Sequence, residues 1–207
     1  MAKRYQDFVI KDGRFVGRFE DMYRSCDDPW LQSDSEHNVF SVPRNIAILN
    51  MARYGIRSVV EFGCGLGYYT DFIRRSGVRV LGVDISSAAV EKARQRFPSS
   101  EFSVDDVRHI GQYADYDGVL FAEITWYVLE HLQPVFGEML KHLRGKHLFH
   151  NLVFYKGDTQ QYGRDYFTDL DGFIDYCPFR LLARSEYTTA DPMSTIETST
   201  AFLIEPK

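Results

Sequence analysis

From about residue 43 onward, short apolar runs alternate with segments whose apolar residues recur every three or four positions. Ser58–Phe62 (SVVEF), Val78–Val83 (VRVLGV), Glu101–Val104, Tyr116–Ala122 (YDGVLFA) and His147–Phe154 (HLFHNLVF) are rich in β-branched and aromatic side chains, which predicts buried strands. Between them, Asn45–Tyr54 reads as a helix opened by Pro43 and ended by Gly55. Thr70–Ser76 reads as a helix stopped by Gly77, and Ala88–Phe97 as one ended by Pro98. Trp126–Leu143 reads as a single helix, broken near Gln133-Pro134 and ended by Gly145. Asp169–Tyr176 places Leu170, Phe173 and Ile174 on one helical face. Phe179–Ser185 and Ser199–Glu205 read as a closing hairpin, with the polar stretch Glu186–Thr198 as a long loop.

Strands alternating with helices at this spacing imply right-handed crossovers and a parallel sheet covered on both faces. The expected class is α/β: a mostly parallel sheet of seven strands, with an antiparallel C-terminal hairpin. Residues 1–42 differ in texture, being polar and aromatic, and read as a segment apart from a domain over 43–207.

With 207 residues, the chain supports one sizeable core. The formal charge of −5 and the absence of a dense Lys/Arg block argue against nucleic acid as substrate. No apolar run is long enough to span a bilayer, and the charged start lacks a signal core. The three cysteines, Cys26, Cys64 and Cys177, fit neither a disulfide framework nor a metal site, so no metal is expected and a reducing cytoplasm is the expected compartment.

The sharpest chemical signal is Glu61-Phe62-Gly63-Cys64-Gly65-Leu66-Gly67-Tyr68, where a buried strand runs through three glycines into a helix. Open parallel sheets bind ligands beyond the carboxyl ends of their strands, and glycines let a ligand approach the backbone. A dinucleotide site wants its third glycine where Tyr68 stands, and Glu61 would repel a pyrophosphate. An ammonium-bearing ligand would instead be favoured by that acid. Asp84 closes the second strand 17 residues after Gly67, where an acid can accept ribose hydroxyls. The third strand ends at Asp105-Asp106-Val107, and the fourth at Glu123.

These residues together resemble class I S-adenosylmethionine-dependent methyltransferases, whose Rossmann-like sheet ends in an antiparallel hairpin. The resemblance covers roughly residues 43–207. It implies S-adenosylmethionine as cofactor. Its methionine end would be held by Glu61, Gly63, Cys64, Gly65, Gly67 and Tyr68, its ribose by Asp84 and Ile85, and its adenine by Asp106 with the Val107 N–H, the register against Asp105 staying open by one. Glu123 would border the methyl. Phe19-Glu20-Asp21-Met22-Tyr23 through Asp28-Pro29-Trp30, followed by Gln32-Ser33, resembles the start of the nodulation N-methyltransferases and of surface-sugar cluster methyltransferases. In those the segment is a lid, which implies that Trp30, Gln32 and Ser33 approach the cofactor.

The acceptor is read less sharply. A hydroxyl acceptor needs a base, for which His131 and then His37 are the candidates. His131 is placed on a helix four residues from Tyr127. An amine needs no base, and an anionic phosphate or phosphoramidate oxygen wants cations such as Arg44, Lys156 or Arg164. Trp126, Tyr127, His150, Tyr155 and Arg164 are the candidate substrate contacts, within or near the polar, Tyr-rich stretch Asn151–Tyr166. A small metabolite or sugar is the expected partner, with no membrane, and the chain is expected as a monomer or homodimer. A macromolecular acceptor (protein or RNA) and a nucleotide-dependent oxidoreductase are the competing readings.

Overall fold

The structure is a computed structural model in which residues 7–156, 159–188 and 195–207 are described. Its elements follow in chain order. The short strands β1 (Ile10–Lys11) and β2 (Arg14–Phe15) form a hairpin, and α1 (Phe19–Ser25) and α2 (Val42–Arg53) follow. Then come β3 (Ser58–Phe62), α3 (Tyr68–Arg75), β4 (Arg79–Asp84), α4 (Ser87–Arg96), β5 (Glu101–Val104) and β6 (Gly118–Ala122). The chain closes with α5 (Leu132–His142), β7 (His147–Tyr155), α6 (Leu170–Tyr176), β8 (Phe179–Tyr187) and β9 (Thr195–Pro206).

The main sheet has seven strands in the order β5-β4-β3-β6-β7-β9-β8. β3 to β7 run parallel, and β9 lies antiparallel between β7 and β8. The chain reverses direction laterally between β3 and β6, the switch point where open α/β sheets bind ligands. One face carries the large core of Phe121, Phe136, Leu148, Phe154, Phe173 and Phe202. Met51, Tyr69, Ile73, Leu120 and Phe149 fill the other. Asp117, at the entry to β6, receives the Arg57 and Ser58 N–H groups and the Ser58 hydroxyl, which stitches β3 and β6 at the end opposite the site.

The expected sheet is found, with three local differences. The span expected as one helix from Trp126 is instead two short 3₁₀ turns, Thr125–Tyr127 and Leu129–His131, followed by α5. Pro134 sits in the first turn of α5, where its missing N–H costs nothing, so it opens the helix rather than breaking it. Of the loop expected over Glu186–Thr198, Glu186, Tyr187 and Thr195–Thr198 are strand, and 189–194 lie outside the described residues. The β9 ladder on β7 runs from Tyr155↔Thr195 to His147↔Leu203, and its Thr residues are β-branched and suit a half-buried ladder. Within residues 7–41, the hairpin and α1 pack Phe8, Val9, Met22 and Tyr23 onto Leu66 and Ala89, so this segment roofs the glycine turn. No helix among the described residues is long and apolar enough to cross a membrane.

Candidate functional site

The turn after β3 is built as its glycines require. Gly63, Gly65 and Gly67 all have positive φ, at 75°, 55° and 81°. A Cβ on Gly63 would stand 1.9 Å from Ile124 Cγ2, and one on Gly67 would meet the Phe102 ring at 2.6 Å. Cys64 is buried beside Val90, Ala93 and Phe102, and burial holds its thiol well above the usual range, so it is a filler and not a nucleophile.

Glu61 is 2% exposed at the end of β3. The Thr70 hydroxyl, on α3, donates to its Oε2 at 2.5 Å. Burial raises its pKa to about 7, offset in part by Thr70 and by the Arg44 charge. A buried acid poised this way gains from a cation placed against it, which fits the ammonium of an amino-acid tail. Asp84, at the tip of β4, accepts the Gly65 N–H on Oδ2 and the Ser86 N–H on Oδ1, both at 2.9 Å. Burial raises it to about 6, against the pull of those N–H groups. Each oxygen keeps a lone pair for a ribose hydroxyl. Ile85 beside it is 57% exposed, an apolar surface facing outward.

The two acids after β5 differ. Asp105 takes the Tyr113 hydroxyl at 2.7 Å and lies 2.6 Å from His109 Nδ1, so it is bound into the turn that follows. Asp106 holds the Arg108 side chain in a two-point pair on the surface, and Val107 is buried. A pair with an exposed arginine is weak and exchangeable. Asp106 is therefore the acid freer to exchange its partner.

Residues 7–41 meet this turn and the start of α4 through several side chains. Gln32, 8% exposed, accepts the Leu66 N–H at 2.8 Å and donates to the Cys64 carbonyl at 3.4 Å. The Trp30 indole N–H donates to the Tyr23 hydroxyl at 3.0 Å, and a Cβ on Gly65 would lie 2.7 Å from that hydroxyl. Glu20 on α1 receives the Ser86 and Ser87 hydroxyls and the Ala88 N–H at the start of α4. Burial opposes its ionisation, but these donors together with Arg24 outweigh it and hold Glu20 at about 2. Glu20 thus ties α1 to the start of α4. Glu20→Ala should speed cleavage of residues 7–41 by a dilute protease several-fold without changing cleavage of the sheet domain, as resolved by mass spectrometry of the fragments. Ser33 is exposed, its N–H taken by Asp28, and points to no part of the turn's hydrogen bonding.

The remaining candidates are dispersed. Glu123 ends β6 with a left-handed φ of 65°, a conformation that costs energy and concentrates at functional sites. Its N–H donates to the Asn151 carbonyl, and its carboxylate lies 3.7 Å from Arg44. Tyr127 is half-buried between the Phe19 and Trp30 rings, 5.6 and 5.5 Å away, and so belongs to the lid contact. Tyr68 opens α3 with its ring edge-on to Phe97, against α4. Trp126 is a core residue: its indole N–H is taken by the Val153 carbonyl and its ring packs on Phe154 and Phe167. His150 is fully buried, stacked 4.1 Å from Phe173 and 2.7 Å from the Thr125 hydroxyl. Burial lowers it to about 3, so it is neutral. His131 is exposed at the start of α5 and shares no helical face with Tyr127, because the chain between them is two 3₁₀ turns. His37 is exposed in the turns before α2. Tyr155 lines a cleft of about 330 Å³ past the tip of β7 with Lys156 and Asp169, and Arg164 is exposed. Asp158 of the same polar stretch lies outside the described residues.

Comparison with known proteins agrees with this geometry. Residues 59–146 match the methyltransferase domain family. The fold is that of methyltransferases solved with S-adenosyl-L-homocysteine or S-adenosylmethionine bound, to which the chain is similar at under 25% identity. The nodulation N-methyltransferase NodS of Bradyrhizobium japonicum WM9, solved with S-adenosyl-L-homocysteine, superposes with a TM-score of 0.66 over 89% of this chain and 96% of that one, at 19% identity. Nodulation protein S of Rhizobium tropici is 25% identical over 132 residues, 60% of this chain and 54% of the relative. A trans-aconitate 2-methyltransferase of Paracidovorax citrulli is 43% identical over 51 residues, 24% of this chain and 20% of the relative. The chain therefore matches about half or less of the length of these two curated relatives.

Proposed function

We propose that this chain transfers a methyl group from S-adenosylmethionine to an oxygen or nitrogen of a small polar metabolite or sugar. The observation that carries the reading is the pair of buried acids, Glu61 and Asp84, on either side of a turn whose glycines all have positive φ. The pair suits a ligand with an ammonium at one end and a ribose at the other, and disfavours a pyrophosphate.

The cofactor supplies an electrophilic methyl on a sulfonium; the chain supplies position and dryness. Glu61 takes the ammonium, Asp84 the ribose, and Asp106 the adenine amine after release from Arg108. Tyr23, Trp30 and Gln32 cover the turn and keep water from it. The roof over the turn favours a small acceptor over a macromolecule. The reading uses no histidine base: His150 is buried and neutral, and His37 and His131 stand exposed.

Protonation of Glu61 sets a pH dependence. Its pKa is raised in the unliganded fold, so the fold binds the extra proton more readily than the unfolded chain does. The cost of ionising it is absent near pH 4.5 and grows as pH rises through about 7. An ammonium prefers the ionised form. Affinity for S-adenosylhomocysteine should therefore fall about tenfold from pH 8 to pH 6, with proton release on binding at pH 6.5. Calorimetry in two buffers of different ionisation enthalpy measures both; a flat profile contradicts the pairing.

The activity itself is tested by incubating the protein with methyl-labelled cofactor and a panel of sugars, amines and small acids. Label in a small product supports the reading. Label only in added protein or RNA would replace it with a macromolecular acceptor.

A further inference from the structure

Glu61 owes its setting to a residue on the helix beyond the glycine turn. Thr70, in the first turn of α3, is fully buried, and its hydroxyl donates to Glu61 Oε2 at 2.5 Å. A helical threonine hydroxyl often turns back to the carbonyl three or four residues earlier. Here it crosses to the sheet instead. The room for that comes from Gly82 on β4, which pairs with Glu61 across the ladder. A Cβ on Gly82 would stand 2.7 Å from Thr70 Oγ1, so a larger residue there would crowd the hydroxyl against the acid. Three elements therefore converge on one bond. β3 brings the carboxylate, α3 the donor, and β4 the space in which they meet.

The bond does two things to the acid. It occupies Oε2, while Oε1 accepts no hydrogen bond among the described residues, so one oxygen is held and the other is kept for a ligand. It also favours the ionised form, because a hydrogen bond to a charged group is worth about tenfold or more in the ionisation equilibrium. Burial opposes ionisation, and of the two groups that favour it Thr70 outweighs Arg44. Arg44, from α2, is also shared: its Nη2 faces Glu123 at the tip of β6, so one cation serves two acids. Asp84, from β4, opposes the charge on Glu61. Tyr69 on α3 and Cys64 in the turn are the other titratable neighbours, and burial keeps both neutral. The two acids and their single cation leave a negative charge over, which an ammonium matches.

We propose that Thr70 is a positioning residue for cofactor binding: through its bond to Glu61 Oε2 it turns Oε1 to the ammonium and sets how far the pH can fall before the cofactor is lost. Thr70 touches no ligand in this account and acts through Glu61. Without its hydroxyl, Glu61 stays protonated to a higher pH, so the loss of affinity on acidification begins earlier. The inference deepens the methyltransferase reading and rests on it.

The test is calorimetric titration of the wild-type protein, Thr70→Val and Thr70→Ser with S-adenosylhomocysteine between pH 6 and pH 8.5. Valine keeps the branched shape and removes the donor; serine keeps the donor. For a shift of about one pH unit, Thr70→Val should bind about fivefold more weakly than wild type at pH 7 and within about twofold of it at pH 8.5. Thr70→Ser should follow the wild-type profile. Carbon NMR of the ligand-free protein reads the same effect directly. The Glu61 carboxyl signal, identified by its loss in Glu61→Gln, should titrate about one pH unit higher in Thr70→Val than in wild type. Thr70→Ala takes the place of Thr70→Val if the valine variant does not fold. The proposal is overturned if Thr70→Val weakens binding by one factor at every pH, which is a packing effect alone. It is also overturned if Thr70→Val binds as wild type at pH 7, or if Thr70→Ser behaves as Thr70→Val. Each of these outcomes leaves wild-type binding intact and so spares the methyltransferase reading. Failure of S-adenosylhomocysteine to bind the wild-type chain at any pH overturns that reading and this one with it.

Discussion

Replacing Asp84 by alanine should lower affinity for S-adenosylhomocysteine at least a hundredfold while leaving the melting temperature within a few degrees of wild type. The two effects separate because the carboxylate is a burden to the empty fold. Its pKa rises from 3.8 to about 6 on burial, a cost on the order of 3 kcal/mol for the ionised form at neutral pH. Its removal leaves the Gly65 and Ser86 N–H groups without their acceptor, a loss of about 1–3 kcal/mol each. Those terms offset. Nothing offsets the loss of two charge-assisted bonds to ribose hydroxyls, each about 1.5–3 kcal/mol, where every 1.4 kcal/mol is tenfold. Affinity within threefold of wild type would remove Asp84 from the ribose site.

The second large effect is on folding. Gly63→Ala should cost about 2–5 kcal/mol. Part is the left-handed backbone, about 1–2 kcal/mol. The rest is the clash of the new Cβ with Ile124 at 1.9 Å, for which overpacking of about 1–3 kcal/mol is the guide. For a chain of 207 residues that is a fall in melting temperature of roughly 5–20 °C. Gly55 provides the control: its φ is 68° but a Cβ there meets nothing within 4 Å. Gly55→Ala should show the backbone part alone, and Gly63→Ala/Ile124→Ala should recover the clash part. Equal losses at Gly55 and Gly63 would mean that the turn is not packed against the segment after β6.

What was legible in the chain and what was not divides by sequence distance. The glycine turn, Glu61 and Asp84 could be read because strand, turn and helix are contiguous, and the acid at the next strand end follows within one βα unit. The mostly parallel sheet followed from the same alternation. The 3₁₀ turns at 125–131 were not legible, because apolar residues at three-residue spacing satisfy both helix types. That misreading put His131 and Tyr127 on one face. Trp126 and His150 looked functional because an aromatic or imidazole group within a strand or in the segment after one is ambiguous; packing places both in the core. Arg44 was visible only as a cation. Its approach to Glu123 and the bond from Asn151 to the neighbouring Pro43 carbonyl join segments far apart in the chain. Thr70 as partner of Glu61, and Tyr23 and Glu20 as lid contacts, were likewise hidden until the helices were placed.

The most direct test of the central claim is a side-by-side calorimetric titration of the wild-type protein with S-adenosylhomocysteine and with NAD at pH 8, where Glu61 is ionised. The account predicts one-site binding of S-adenosylhomocysteine and no measurable heat with NAD. Binding of NAD with none of S-adenosylhomocysteine would contradict it, because a pyrophosphate would then be accepted beside an acid that should exclude it.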